Sequence, residues 1–280
     1  MEYSPKKFQE QFEKHGFNLK KTFGQNFIID ENIIDNIIKK AQIDKDTLVI
    51  EIGPGAGSLT YKLSKFAKNV ICYEIDTSLK EILNENINNN NVEIIYNDFL
   101  KSNVINDIKK YKYKKIYLVA NLPYYITTPI IVKIVEENIQ IDKLVIMVQK
   151  EVGDRFKALP NTKNYNSLSI YLNYYFDIKK ILDVSRNVFI PKPNVDSIVL
   201  ELKSKSKKLY LIDKKHFFKL VRDSFKQKRK TIKNNLKGYD LKKIEMILNS
   251  SGYSLSSRAE QLPIDIFVIL SNELNKHKNQ

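Results

Sequence analysis

Asn121-Leu122-Pro123-Tyr124 directly follows the apolar run Ile116 to Ala120, which reads as a strand. The four residues bring together an amide, a main-chain carbonyl, a rigid ring and an aromatic face. Such a set suits reaction at the exocyclic amine of a base, whose lone pair is delocalised into the ring. The Asn121 side-chain oxygen and the Leu122 carbonyl can accept the two N–H bonds. That holds the nitrogen in line with an incoming methyl group and lets the lone pair localise. Pro123 stiffens the turn, and the Tyr124 ring can stack on the base while its face favours a cationic transition state. The proton can leave after transfer, so no dedicated general base is required. His15, His216 and His277 all lie outside the motifs. A proline turn with a core tyrosine is the plainer alternative, and the position at a strand end argues against it.

A second constellation could hold the methyl donor. The run Leu48 to Ile52 reads as a buried strand ending in Gly53-Pro54-Gly55-Ala56-Gly57, and a helical pattern with Leu59, Leu63 and Phe66 follows. Strand, glycine loop and helix form the usual cradle for a nucleotide-like ligand, and Gly53 and Gly55 let the backbone approach it. Glu74 stands 21 residues beyond Gly53 at the end of the next strand, placed to accept ribose hydroxyls. A dinucleotide fingerprint would need glycine at position 58, where this chain has Ser58, so S-adenosylmethionine fits better than NAD. Asp98 ends the third strand and can accept from an adenine amino group, with a helix cap as its alternative role. No metal is expected: Cys72 is the single cysteine, and its apolar surroundings read as core.

The elements that must position these groups alternate. Strands are expected at 48–52, 70–76, 92–96, 116–120 and 144–149, with helices after most of them, which predicts a parallel doubly wound sheet. Two more strands, 168–176 and 197–202, bracket a proline loop at Phe189 to Pro193. After Lys203 the texture changes to a linker and three helices, 216–236, 241–248 and 264–274. The expected domains are therefore 1–203 and 204–280.

Charge follows the same division. The net charge is +15, and Ser204 to Gln280 holds 18 Lys and Arg against 7 Asp and Glu. A basic module on a nearly balanced domain points to a polyphosphate partner. A Lys-rich solvated surface is the alternative, but composition bias would act along the whole chain. No apolar run is long enough to span a bilayer, and Met1 to Lys21 lacks a secretory apolar core, so no membrane partner and a cytoplasmic location are expected. No coiled-coil signal is present, and a monomer is expected.

Taken in order, the chain resembles the rRNA adenine N6-dimethyltransferase superfamily. The resemblance is carried by Thr22-Phe23-Gly24-Gln25-Asn26-Phe27-Ile28, Glu51-Ile52-Gly53-Pro54-Gly55, Tyr73-Glu74-Ile75-Asp76, Asn97-Asp98, Asn121-Leu122-Pro123-Tyr124 and Val188 to Ser197, and covers nearly the whole chain. It implies an α/β fold: a Rossmann-like S-adenosylmethionine-dependent methyltransferase sheet with a small all-α C-terminal domain. It implies that Asn26, Ile28, Gly53, Glu74, Asp98 and Asn121 contact the cofactor, with Ile28 where the family usually has Leu. It also implies that Phe189 stacks on the target base opposite Tyr124; the residues alone would make Phe189 core.

Two branches of the superfamily share the catalytic domain. One dimethylates two adjacent adenines in a 16S rRNA hairpin near its 3′ end, in the small subunit or its precursor. The other modifies one adenine of 23S rRNA. Ser224 to Leu236 and Arg258-Ala259-Glu260-Gln261-Leu262 resemble the first. Lys226, Lys228, Arg229, Lys230 and Lys233 are placed to contact phosphates without reading sequence, and the target adenine would swing out of its stack into the pocket. An assembly factor that binds without turnover is the alternative of another class. The intact Asn121 turn beside an intact glycine loop weighs against it, and nothing here resembles a DNA target-recognition domain.

Overall fold

The computed structural model describes residues 5–20 and 23–276; Thr22 and His277 lie outside the described residues. Nine strands form among the described residues: β1 (Phe27–Ile28), β2 (Thr47–Ile52), β3 (Asn69–Tyr73), β4 (Val92–Ile95), β5 (Lys115–Asn121), β6 (Lys143–Gln149), β7 (Phe176–Val184), β8 (Phe189–Ile190) and β9 (Ser197–Ser204). Seven of them make one sheet in the order β4-β3-β2-β5-β6-β9-β7, and β1 pairs with β8.

Strands β2 to β6 run parallel, and β9 returns antiparallel to β6 from Lys143↔Lys203 to Gln149↔Ser197. Every residue of β2 is buried, as expected where helices cover both faces of a parallel sheet. Chain order reverses between β2 and β5. Ligands of such sheets bind outside the carboxyl ends of the strands at that switch point, and both sequence constellations lie there.

The chain forms two compact units. One runs to Gly153 and takes in Lys179–Ser204; the other holds Asp154–Ile178 and the residues from Lys205 on. A single cut after residue 203 does not describe these contacts, because 154–178 packs with the second unit. Tyrosines make the attachment: Tyr165 Oη donates to the Leu262 carbonyl at 3.1 Å and Tyr171 Oη to the Phe218 carbonyl at 2.8 Å.

Two sequence expectations are corrected. Residues 168–176, expected as a strand, are a helix, Ser167–Tyr175. Asn166 accepts from the Leu168 and Ser169 N–H groups while Ser169 Oγ accepts from Asn166 N–H, and this capping box overrides the strand-like aromatic composition. The helix expected over 216–236 breaks into Lys214–Ser224 and Ile232–Asn235. Residues 226–231 contain no apolar side chain to continue a buried face, and Lys226 and Lys230 would repel at helical spacing. The Asn235 amide holds the intervening loop, donating to the carbonyls of Ser224 at 2.7 Å and Gln227 at 3.2 Å.

Candidate active site

The glycine loop after β2 is shaped by residues that only glycine satisfies. Gly55 has φ +60°, and a Cβ there would meet the Phe27 ring at 3.0 Å. The Gly53 N–H is taken by the Tyr73 carbonyl at 2.9 Å, which ties the loop to the end of β3. Glu74 follows directly. Its carboxylate accepts from Gly55 N–H at 3.1 Å and from Asp76 N–H at 2.8 Å. Burial pushes Glu74 up to about 7, against the pull of these two donors. A carboxylate held between the loop and the strand end is a buried acceptor in the wall of the cleft.

Beneath the loop lies Glu51, fully enclosed. Burial raises its carboxyl to about 8 although Thr60 Oγ1 donates to it at 2.6 Å and the Cys72 thiol at 3.6 Å. At neutral pH it is mostly the uncharged acid, a state that neither its place in a buried strand nor its place in the family motif indicates.

Asp98 serves its alternative role and still lines the cleft. Oδ1 accepts from Leu100 N–H at 2.9 Å and caps the turn at Phe99–Lys101. Asp76, the last residue of the Tyr73-Glu74-Ile75-Asp76 motif, is buried, like Glu74. Burial alone would raise it, but donors on Lys20 (2.6 Å), Ser78 and Gln25 (2.7 Å) hold it below the usual carboxylate range. Through them the segment carrying Gly24, Asn26 and Phe27 is fastened to the end of β3. Asn26 and Ile28 thus line the cleft with Gly53, Gly55, Glu74, Asp98 and Asn121.

At the end of β5 the Asn121 amide donates to the Asn26 carbonyl at 3.0 Å. That fixes the side chain and leaves its Oδ1 as a spare acceptor. The turn's own hydrogen bonds run to the Pro123 carbonyl, from Ile126 N–H at 3.2 Å and Thr127 Oγ1 at 3.1 Å, and leave the Leu122 carbonyl out. The Tyr124 hydroxyl meets Ser197 Oγ at 2.8 Å. Ser197 is buried at the start of β9, so the antiparallel strand sets the aromatic wall of the cleft. Burial raises the Tyr124 hydroxyl's pKa, against the Ser197 hydrogen bond.

These features give a cleft with a fixed carboxylate on one side, two carbonyl-type acceptors at a strand end on the other, and an anchored aromatic ring. A family profile described as "Ribosomal RNA adenine dimethylase" matches residues 16–276. The chain belongs to this family. Curated relatives agree over nearly the whole length. "Ribosomal RNA small subunit methyltransferase A" of Macrococcus caseolyticus is 45% identical, covering 99% of this chain and 98% of its own. The protein of the same name from Bacillus cytotoxicus is 44% identical, covering 98% of each. Among solved structures, a dimethyladenosine transferase from Plasmodium falciparum superposes with TM-score 0.75 at 27% identity, covering 89% of this chain and 98% of that one. The 23S rRNA methyltransferase ErmE superposes with TM-score 0.65 at 24% identity, covering 89% and 100%, and shares the fold.

Phe189 departs from what the family resemblance implied. It is 2% exposed, paired with Ile28 across β1 and β8, and packs in the core with Val184 and Val199. It is absent from the cleft wall, because the β1–β8 pairing turns its ring inward. Stacking on a substrate base from there would mean leaving the core, so the structure gives it a packing role.

The basic residues belong to the second unit. Lys226, Lys228, Arg229 and Lys230 are exposed on the loop between two helices, and Lys233 is exposed on the short helix that follows. The Lys228 ammonium donates to the Lys163 carbonyl at 2.7 Å, which orders one side of the loop. A pinned loop, rather than a helix face, presents the charge.

Proposed function

We propose that this family member uses S-adenosylmethionine to dimethylate the N6 amino groups of two adjacent adenines in a 16S rRNA hairpin near the 3′ end during small-subunit biogenesis. The observation that carries the reading is Asn121: its amide is tied to the Asn26 carbonyl, which leaves its Oδ1 without a donor among the described residues at the strand end, next in sequence to Leu122. These are the two acceptors that an adenine amino group requires. The small subunit is the one for which the Macrococcus and Bacillus relatives are named.

The cleft residues fit the cofactor. Glu74 is buried, already shaped by two N–H donors, and keeps acceptor capacity for ribose hydroxyls. At Gly55, in the left-handed region, a Cβ would press on the Phe27 ring at 3.0 Å, so glycine keeps the loop's backbone bare along the cleft. Gly53, Asn26, Ile28 and Asp98 complete the walls, Asp98 with an oxygen to spare after capping Leu100. When bound, the cofactor supplies an electrophilic methyl group. Asn121 and Leu122 accept the amine N–H bonds and orient the nitrogen, Pro123 keeps the two carbonyls in register, and Tyr124 stacks on the base. Ser197 holds that ring. The loop of Lys226 to Lys230, with Lys233, contacts rRNA phosphates. The protein acts as a cytoplasmic monomer on the small subunit or its precursor.

Methyl transfer from radiolabelled S-adenosylmethionine to undermethylated small and large ribosomal subunits, assayed separately and digested to nucleosides, tests this reading. Dimethyladenosine from small-subunit particles alone is expected. Label on the large subunit instead would refute the substrate, and no label on either would refute the activity.

A further inference from the structure

After Ser204 the second unit exposes three large apolar side chains within four positions: Leu209, Tyr210 and Ile212 are 45%, 77% and 39% exposed. The backbone that carries them is fixed. Tyr174 Oη donates to the Leu209 carbonyl at 2.7 Å, Asn272 Nδ2 donates to the Tyr210 carbonyl at 2.8 Å, and the Ile212 N–H donates to Asn272 Oδ1 at 2.9 Å. Three bonds thus hold the main chain on both sides of Tyr210 and leave its ring outside. A contiguous exposed apolar stretch of this kind marks an interaction site.

The charges around it identify the partner. The ammonium groups of Lys208 and Lys214 stand 5.0 and 6.0 Å from the centroid of one ring, that of Tyr175. Burial, and then the nearby Lys214, hold the Lys208 ammonium below the ordinary lysine range. Among the described residues no carboxylate pairs with either. Two like charges gathered over one ring repel, and a bridging anion relieves that repulsion. Lys207 and Lys215 are exposed in the same stretch. An apolar protein surface would not call for unpaired lysines, whereas a nucleic-acid strand calls for both features: aromatic faces for bases and ammonium groups for phosphates.

We propose that residues 207–215 form a second RNA-contact surface, in which Tyr210 stacks on an unpaired base and Lys208 and Lys214 share a neighbouring phosphate. The inference rests on the rRNA reading above and adds a contact outside the Lys226 to Lys233 loop. It takes unpaired RNA, because a base inside a duplex offers no free face to the ring.

The test uses the full chain, with a hairpin RNA carrying an unpaired loop and a fully paired duplex of equal length as probes. Because the chain contains no tryptophan, Tyr210→Trp places a single reporter on the surface. Its emission is expected to be quenched by the hairpin and much less by the duplex. Tyr210→Ala is expected to weaken hairpin binding by about tenfold or more, with an unchanged melting temperature because the ring is exposed. Lys208→Gln with Lys214→Gln is expected to lower the salt slope of binding by about one to two. If both variants bind like the parent with the same slope while neutralising the Lys226 loop weakens binding, this surface is not an RNA contact and the rRNA reading stands. If the parent binds neither the hairpin nor small-subunit particles, both fall together. Unquenched emission with full hairpin binding overturns the stacking.

Discussion

Glu51→Gln tests the electrostatics beneath the cofactor loop. The carboxyl has an ordinary value of 4.5 and stands at about 8 in the fold, raised by burial. Its folded-state pKa is raised, so between these values the folded protein holds a proton that the unfolded chain releases, and stability must fall as pH rises. The slope is about 1.4 kcal/mol per pH unit, so the accumulated loss between pH 5 and pH 8 is about 3 kcal/mol from this group. Gln cannot ionise and keeps an oxygen for Thr60 Oγ1, whose donor stands at 2.6 Å. The variant should therefore gain about 3 kcal/mol on the parent between pH 5 and pH 8, whatever constant offset its amide introduces. Urea unfolding followed by circular dichroism at the two pH values measures this difference, and comparing the two proteins cancels the other titrating groups. Equal pH slopes for parent and variant would show that Glu51 is ionised in the folded protein and would refute the reasoning.

The remaining predictions concern the cleft and the basic loop. Because Glu74 titrates at about 7, cofactor affinity is expected to fall as pH drops from 8 to 6, while Glu74→Gln binds about tenfold or more weakly with little pH dependence; a flat parent profile by calorimetric titration would refute a Glu74 acceptor that titrates near 7, and a variant that binds like the parent would remove Glu74 from the cofactor site. Tyr124→Ala should cut turnover far more than cofactor affinity, and unchanged turnover would remove Tyr124 from the site. Ser197→Ala leaves the Tyr124 hydroxyl without its partner and should cost about 1–3 kcal/mol, whereas adding Tyr124→Phe to it should recover most of that, as a double-mutant cycle of melting and turnover will show. Neutralising Lys226, Lys228, Arg229 and Lys230 together should reduce the salt slope of rRNA binding by about three, and an unaltered slope would place the phosphate contacts elsewhere.

The sequence alone determined the groups of the cleft and their order along the chain. Strand-ending acids such as Glu74, the glycine loop and Asn121-Leu122-Pro123-Tyr124 are local patterns, and a parallel sheet brings all its strand ends to one edge, so spacing sufficed to gather them. The basic excess after Ser204 was likewise countable. Local signals failed where partners distant in sequence decided the outcome. Phe189 reads as core from its own neighbours and as a stacking residue only from the resemblance, and the pairing of β8 with β1, some 160 residues earlier, keeps it in the core. The basic residues sit on a loop because Asn235 reaches back to Ser224 and Gln227. Residues 154–178 joined the second unit through tyrosine hydroxyls that seek carbonyls far along the chain. Tyr124 acquired its anchor only when β9 folded back against β6 and delivered Ser197. Glu51 acquired its raised pKa from enclosure, which no pattern of neighbours in the sequence records. Composition and period specify elements and the edge where they end. Burial and long-range pairing decide which of those groups are charged, held or turned away from the cleft.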